Sequence, residues 1–526
     1  MQETKGLGLY NVVIIGAGTA GLVTAAGTAG LGGRVALVER NKMGGDCLNY
    51  GCVPSKALIA SARVIDSIRH ASRWGLDEQE PRFEFETVFE SMRSRRAQIA
   101  PHDSAERFES LGVDVFRGEA HFVSPHEIVV DGRTLHGKNF VIAAGSRAGI
   151  PPIEGIRDVP FFTNETIFDG LHHKPESMIV LGGGPIGCEL SQAMSRLGVK
   201  ITIVEVLEQI LPKEDRDVAD WMEKLLEAEG IRVLRSSQAI CMSMRDGKVL
   251  CDLIRTPRGA SKGERMQVLA DTLLVSAGRL PNLEKLNLEA AGVKCKPQGL
   301  EVNAYLQTSQ PHIYAAGDIV GPYQFTHTAD AQARVVVRNI LMPFQILRQK
   351  MDYSVVPWCT YTDPEIAHVG LNETEANQQN TAYDLICIQI DELDRAVVEG
   401  EELGFVKVLT KKGTDKILGV TMVATQAGDL LPEFVLAMKQ RIGLSRLATT
   451  IHAYPTFAEL GRKVGDCYNK QRLTPFVKRI FRWLYKRSRA ASPPTSARVR
   501  MRRMSCLAKG NKDRRTFDFR NHPNLQ

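Results

Sequence analysis

Along the first forty residues the apolar positions fall into two short blocks separated by glycine. Asn11 to Ile15 reads NVVII, a β-branched run of the kind buried on both faces of a parallel sheet. Gly16, Gly18 and Gly21 follow, then small residues from Leu22 to Leu31 that suit a helix packed close to a sheet. A second strand over Arg34 to Val38 ends in Glu39. Strand, glycine turn, helix and strand make a βαβ unit. The pattern returns at Met178 to Leu181, with Gly182, Gly184 and Gly187, a helix to about Leu197, and a strand over Lys200 to Val204 ending in Glu205. In both copies the acid stands 23 residues after the first glycine. One GxGxxG run is a weak signal; two in matched context are strong.

Further strands are predicted at Phe140 to Ala144, Thr272 to Ser276 and His312 to Ala315, each running into a glycine: Gly145, Gly278 and Gly317. Beyond about Asp352 the periodicity changes. Val406 to Leu409 and Ile417 to Val423 alternate as antiparallel strands do, and Leu430 to Gln440 reads as a helix. The fold class is therefore α/β, with two nested Rossmann-like dinucleotide-binding domains followed by a C-terminal α+β domain. With 526 residues, 43% of them apolar, three large packed domains are expected. Residues 488–526 are rich in Arg, Ser, Pro and Asn and are expected to be disordered.

The glycine turns supply the first chemistry. Glycine lets a backbone approach a pyrophosphate closely, and the helix start beyond it offers unpaired N–H groups. Glu39 is placed to accept hydrogen bonds from the ribose of one dinucleotide and Glu205 from that of a second. A carboxylate at Glu205 repels a 2′-phosphate, and none of Val206, Leu207, Glu208 and Gln209 is Arg, so NADH is expected over NADPH.

Most of the ten cysteines stand singly; Cys47 and Cys52, in GGDCLNYGCVPSK, do not. Four intervening residues permit a local disulfide across one helical turn. Such a pair can take two electrons from a reduced flavin and pass them on by thiolate exchange. A helix N-terminus or Lys56 would favour the thiolate. No second Cys or His pair at ligand spacing accompanies the motif, so no resident metal is expected.

Taken together, GGDCLNYGCVPSK, the two glycine runs, SAGRLPN (276–282) and AAGDI (315–319) resemble the disulfide oxidoreductases that contain FAD. This family includes dihydrolipoamide dehydrogenase, glutathione reductase and mercuric reductase, and the resemblance runs over roughly residues 8–475. It implies FAD and NAD(H) as cofactors and a homodimer. The FAD-binding domain would take 8–160 and 284–351, the NAD-binding domain 161–283 and the dimerisation domain 352–470, leaving 471–526 as a basic helix and tail. It also implies roles. Cys47 would attack substrate and Cys52 contact the flavin. Lys56 would lie near the flavin N5, paired with Glu189. Asp318 would hold the ribityl chain, Gly145 would join the cofactor-binding glycines, and Gly278 would line the NAD site.

The family pattern breaks near the C-terminus. Members that reduce dithiol substrates carry a His-Pro-Thr-x-x-Glu stretch whose His is a general base. Here it reads Tyr454-Pro455-Thr456-Phe457-Ala458-Glu459, with Tyr454 in the His position. A phenol with an ordinary pKa near 10 is a poor base at neutral pH. By resemblance, Tyr454 and Glu459 of the partner subunit would sit beside Cys47. His452, two residues earlier, faces the same side of an extended segment and is the alternative candidate for that base. Loss of the base points toward mercuric reductase, where a soft metal ion held by thiolates is the substrate. Even so, the chain lacks an N-terminal CxxC domain and the adjacent C-terminal cysteine pair of those enzymes. The expected activity is thus mercuric reductase-like electron transfer from NADH to a metal-ion or thiol/disulfide acceptor. The alternatives are a dihydrolipoamide dehydrogenase and a membrane-surface NADH:quinone or redox-sensing flavoprotein.

Charge changes the picture only at the end of the chain. From Lys470 onward 17 Lys and Arg stand against two acids, so the tail carries +15 while residues 1–469 carry −8 of the +7 total. Basic character therefore says nothing about nucleic acid binding by the body, and no nucleic acid partner is expected. Pro475 to Arg487 reads PFVKRIFRWLYKR, a basic amphipathic helix. It either docks on its own body or lies on an anionic membrane surface. The N-terminus shows no secretory pattern and no apolar run reaches 18 residues. A cytoplasmic location is expected, with peripheral contact at the inner face of the membrane as the alternative.

Overall fold

The computed structural model describes residues 8–259, 262–342 and 344–490, with the backbone alone at 489 and 490. The chain divides into two compact units that meet between Asn469 and Lys470.

The first sheet of the larger unit grows from the NVVII run. Strand Tyr10–Ile15 is buried at every position but one, because it pairs in parallel on both sides, with Val35–Glu39 and with Arg133–Ile142. Val113–Arg117 extends one edge; Glu127–Val130 and Ala120–Ser124 extend the other as antiparallel strands. The seventh strand, Ile313–Ala315, pairs in parallel with the end of Arg133–Ile142. It arrives from a distant part of the sequence because a second sheet is built in between. That sheet is parallel throughout, in the order Arg232–Leu234, Lys200–Val204, Ser177–Leu181, Thr272–Val275. An antiparallel three-stranded sheet, Ser237–Arg245 to Glu264–Ala270, packs beside it.

Residues from Pro357 form a five-stranded antiparallel sheet in which Glu365–Gly370, Ile417–Ala424 and Phe405–Lys411 are the inner strands. The expected alternation is not seen there. Phe405–Lys411 and Ile417–Ala424 are buried on both faces, since elements cover the sheet on either side. The single helix expected over Leu430 to Gln440 is two, Ala427–Leu430 and Pro432–Lys439; Pro432 has no N–H with which to continue the first. Lys407, 3% exposed, ties this sheet to the second nucleotide half: its ammonium meets Asp215 at 3.2 Å and Asp217 at 2.9 Å.

The smaller unit contains helix Pro475–Ala490, which takes in the first three residues of the segment expected to be disordered; 491–526 lie outside the described residues. Among the described residues no helix is long and apolar enough to cross a membrane.

Candidate functional site

The two glycine turns have the same construction. Gly16 and Gly182 end their strands at φ +106° and +103°, and a Cβ on either would sit 2.4 or 2.6 Å from the carbonyl oxygen of Ala143 or Ser276. Gly21 and Gly187 let the following helix close on the turn; a Cβ there would lie 1.8 or 2.0 Å from the oxygen of Gly16 or Gly182. The middle glycines differ in kind. A Cβ on Gly184 would meet nothing within 4 Å and one on Gly18 only Gly45 at 3.8 Å, because both face open space. That space is one cavity of about 1660 Å³, lined by both turns and by Gly145, Gly278 and Asp318. A site for one drug-sized ligand takes about 300–1,000 Å³, so the volume suits two dinucleotides. The residues present therefore fit an FAD at the first turn and a nicotinamide dinucleotide at the second.

Glu39 and Glu205 line the cavity, and each has a task the spacing did not show. Glu39 accepts from the backbone N–H of Ala17 and of Asn41, both at 2.7 Å. Glu205 accepts from Gly183 at 2.6 Å and Leu207 at 2.8 Å. Each carboxylate thus closes its own loop before any ribose arrives, which explains the matched 23-residue spacing. A separate hollow of about 320 Å³ lies beside Glu208, lined by Arg216, Arg235, Arg255 and Arg258 from three distant segments. Arg216 and Arg235 are paired with Asp220, at 2.9 and 3.4 Å.

Between the turns stand the two cysteines. They do not share one helix: Cys47 belongs to Gly45–Asn49, and Cys52 opens the 18-residue helix Cys52–Arg69. Cys52 therefore sits where the helix end is positive. Its sulfur lies 3.5 Å from Thr326 Oγ1, itself the first residue of helix Thr326–Leu341. A hydrogen bond from Cys47 holds the Cys52 thiol down, to about 6, against the opposing effect of burial, with help from Thr326 and the Lys56 ammonium. The same bond raises Cys47, which gives up its donor role if ionised. One thiol of the pair is poised as thiolate and the other as its hydrogen-bond donor.

One turn after Cys52, Lys56 reaches Glu189 at 2.8 Å. Glu189 is 5% exposed and accepts from Tyr361 N–H at 2.9 Å, while the Lys56 ammonium lies 4.3 Å from the Tyr361 ring centre. Asp318 accepts from Ser146 Oγ at 2.6 Å, and burial raises its pKa. Arg279, next to Gly278, bridges Asp318 and Asp46 at 3.7 and 3.2 Å. Thr326, Tyr361, Ser146 and Arg279 are the neighbours that sequence reasoning missed. Only Arg279 carried a signal, inside SAGRLPN.

Tyr454, Glu459 and His452 do not line the cavity of their own chain; the resemblance places Tyr454 and Glu459 of the partner subunit there. The Tyr454 hydroxyl donates to Asp394 at 2.8 Å, not to Glu459, and that carboxylate raises the phenol further. Glu459 is buried in an ion pair with Arg462 at 2.8 Å. His452 Nε2 faces Glu433 at 2.9 Å and Nδ1 faces the Thr450 carbonyl at 3.1 Å.

Comparison with known proteins agrees with this geometry. Residues 10–333 match the family described as pyridine nucleotide-disulphide oxidoreductase, and 356–464 match its dimerisation domain, which supports a homodimer. The dihydrolipoyl dehydrogenase of Thermus scotoductus is 34% identical over 475 residues, covering 88% of this chain and 98% of that one. The mercuric reductase of Staphylococcus aureus is 31% identical over 453 residues, covering 86% and 81%. Among solved structures, the HOCl-induced flavoprotein disulfide reductase RclA from Escherichia coli aligns with a TM-score of 0.77 at 25% identity, over 88% of this chain and 99% of that one. That protein has also been solved as a Cu(II) complex. The chain belongs to the pyridine nucleotide-disulphide oxidoreductase family, FAD-dependent oxidoreductases with NAD(P)H as electron donor.

Proposed function

We propose that the protein takes electrons from NADH and delivers them through the Cys47–Cys52 pair to a soft metal ion or a thiol/disulfide acceptor, without the general base of the dithiol-reducing members. The domain limits follow the expectation above: FAD at 8–160 and 284–351, NAD at 161–283, dimerisation at 352–470. Bound FAD supplies the two-electron relay between nicotinamide and disulfide. The chain's own residues do the rest. Gly16, Gly18, Gly21, Glu39, Gly145 and Asp318 hold one dinucleotide; Gly182, Gly184, Gly187, Glu205 and Gly278 hold the other. Lys56, fixed by Glu189, sets the charge beside Cys52. Toward a disulfide acceptor, Cys47 passes its proton to the Cys52 thiolate as its sulfur bonds to one acceptor sulfur, and the other acceptor sulfur leaves as a thiolate that takes a proton from water. Cys52 then attacks Cys47, reforms the pair and releases the second thiol. Toward a soft metal ion, Cys47 gives its proton to solvent and both sulfurs bind as thiolates; their two electrons pass to the bound metal, one ion or two in single steps, as the Cys47–Cys52 disulfide reforms, and no proton need be taken from a substrate thiol.

The observation that carries this reading is the split between the two halves of the site. Cys52 is held as thiolate by Cys47, Thr326 and Lys56, while Tyr454 is tied to Asp394 and Glu459 to Arg462. The metal-ion acceptor draws support from the mercuric reductases among the relatives and the Cu(II) complex of the Escherichia coli neighbour. A second reading, dihydrolipoamide dehydrogenase, rests on His452 and its carboxylate partner Glu433. The purified protein separates them. NADH oxidation is compared with thiol-complexed Hg(II), thiol-complexed Cu(II), lipoamide and a soluble quinone. The proposal expects a metal or small disulfide to be turned over fastest. Fast lipoamide turnover, lost in His452→Ala, would transfer the assignment to the dehydrogenase.

A further inference from the structure

The reaction centre makes no use of helix Pro475–Ala490, yet it is strongly organised. Pro475 opens it, where a missing N–H costs nothing, and Thr474 caps it: Oγ1 accepts from Val477 N–H at 3.3 Å and the carbonyl from Lys478 N–H at 2.9 Å. At 3.6 residues per turn, Lys478, Arg479, Arg482 and Lys486 gather on one face. Phe476, Val477, Ile480, Phe481, Trp483 and Leu484 gather on the other. Arg487 falls among the apolar residues, between Trp483 and Ile480 around the helix, its guanidinium 5.2 Å from the Trp483 ring centre.

The apolar face is not buried. Phe476 is 69% exposed, Trp483 55%, and Phe481 and Leu484 about half. Aromatics in the open on one face with cations on the opposite one are complementary to a bilayer interface: rings at the acyl boundary and ammonium and guanidinium groups among lipid phosphates. Sixteen residues span about 24 Å as a helix, and six of them are charged, so this helix lies in the interface rather than crossing it. The sequence beyond it adds further Lys and Arg, the whole segment from Lys470 carrying +15.

We propose that Pro475–Ala490 docks this oxidoreductase, in the interfacial plane, on a membrane surface rich in anionic lipid. This rests on the helix alone and stands whether or not the acceptor is the one proposed above. Its test uses the full chain, loaded with FAD, co-sedimented with vesicles of phosphatidylcholine alone or mixed with phosphatidylglycerol. Binding to the anionic vesicles only, weakened by salt, is expected. Replacing Lys478, Arg479 and Arg482 together by Gln should weaken it about a hundredfold, each cation near an anionic surface contributing on the order of 1 kcal/mol. The pair Phe481→Ser and Trp483→Ser should abolish it while flavin absorbance and the dimer persist. No binding to anionic vesicles would overturn the proposal, and so would binding that ignores the Phe481 and Trp483 changes. Dissociation of the dimer by the same two changes would assign the face to a second copy instead, which also overturns it.

Discussion

Around Cys52 the polar groups converge; around Tyr454 they diverge. Cys47, Thr326 and Lys56 come from three helices to one sulfur, and Lys56 is in turn fixed by Glu189 on a fourth. Tyr454, Glu459 and His452 lie within eight residues of one another in sequence, yet each is bound to something else: Asp394, Arg462 and Glu433. The first arrangement lowers a thiol pKa by surrounding it with donors and positive charge. The second takes the groups a proton shuttle needs and pairs them off. On the proposed reading, the chain keeps the electron route with its electrostatics, while Tyr454 and Glu459 are engaged away from one another.

The largest expected effect tests the convergent half. Reduced anaerobically with NADH, the holoenzyme should show a long-wave thiolate-to-flavin absorbance, and Cys52→Ala should lose it entirely. With Cys52 held to about 6, the band should be full at neutral pH and fade as pH falls through 6. A band that survives Cys52→Ala, or that needs pH above 8, would break the assignment. A titration of Thr326→Val sharpens the point, since losing that hydrogen bond should move the midpoint upward.

The next effect tests the divergent half. Tyr454→His should raise lipoamide turnover, because a positioned general base contributes roughly 10²–10⁴-fold. The gain should be larger when Arg462→Ala also frees Glu459 to orient the new imidazole. His452→Ala should be silent in the parent protein. Loss of dithiol activity in that variant would show that His452 already serves as the base.

The smallest effect concerns the donor. NADH should be preferred over NADPH by about tenfold in kcat/KM, which needs only about 1.4 kcal/mol of differential binding at Glu205. Equal use of both would show that the arginines beside Glu208 reach a 2′-phosphate.

Much of this was legible in the chain itself. The fold follows from two repeats of a local pattern, in which strand, glycines, helix and acid lie within thirty residues. Cys47, Cys52 and the three glycines of each turn are likewise local. Lys56 and Glu189 were paired by resemblance, and the structure puts them 2.8 Å apart. What stayed hidden is what only tertiary packing decides. Thr326 is 274 residues from Cys52, and Asp394 is 60 from Tyr454. Nothing in the sequence near Tyr454 announces that Glu459 will prefer Arg462. The four arginines by Glu208 sit in segments that periodicity treats separately. The interface strands were expected to alternate because half-buried antiparallel strands do; here both faces are covered.

The most direct test of a retained electron path without its proton shuttle is to time the two half-reactions separately in a stopped-flow instrument. The oxidised holoenzyme is first mixed with NADH, and the two-electron-reduced enzyme is then mixed with oxidised lipoamide. Reduction by NADH should be complete within the first turnover of a typical family member, with the thiolate band as its product. Reoxidation by lipoamide should be slower by roughly the 10²–10⁴-fold that a general base supplies. Equal rates for the two halves at neutral pH would contradict the reading, since a working proton shuttle would then have to be present.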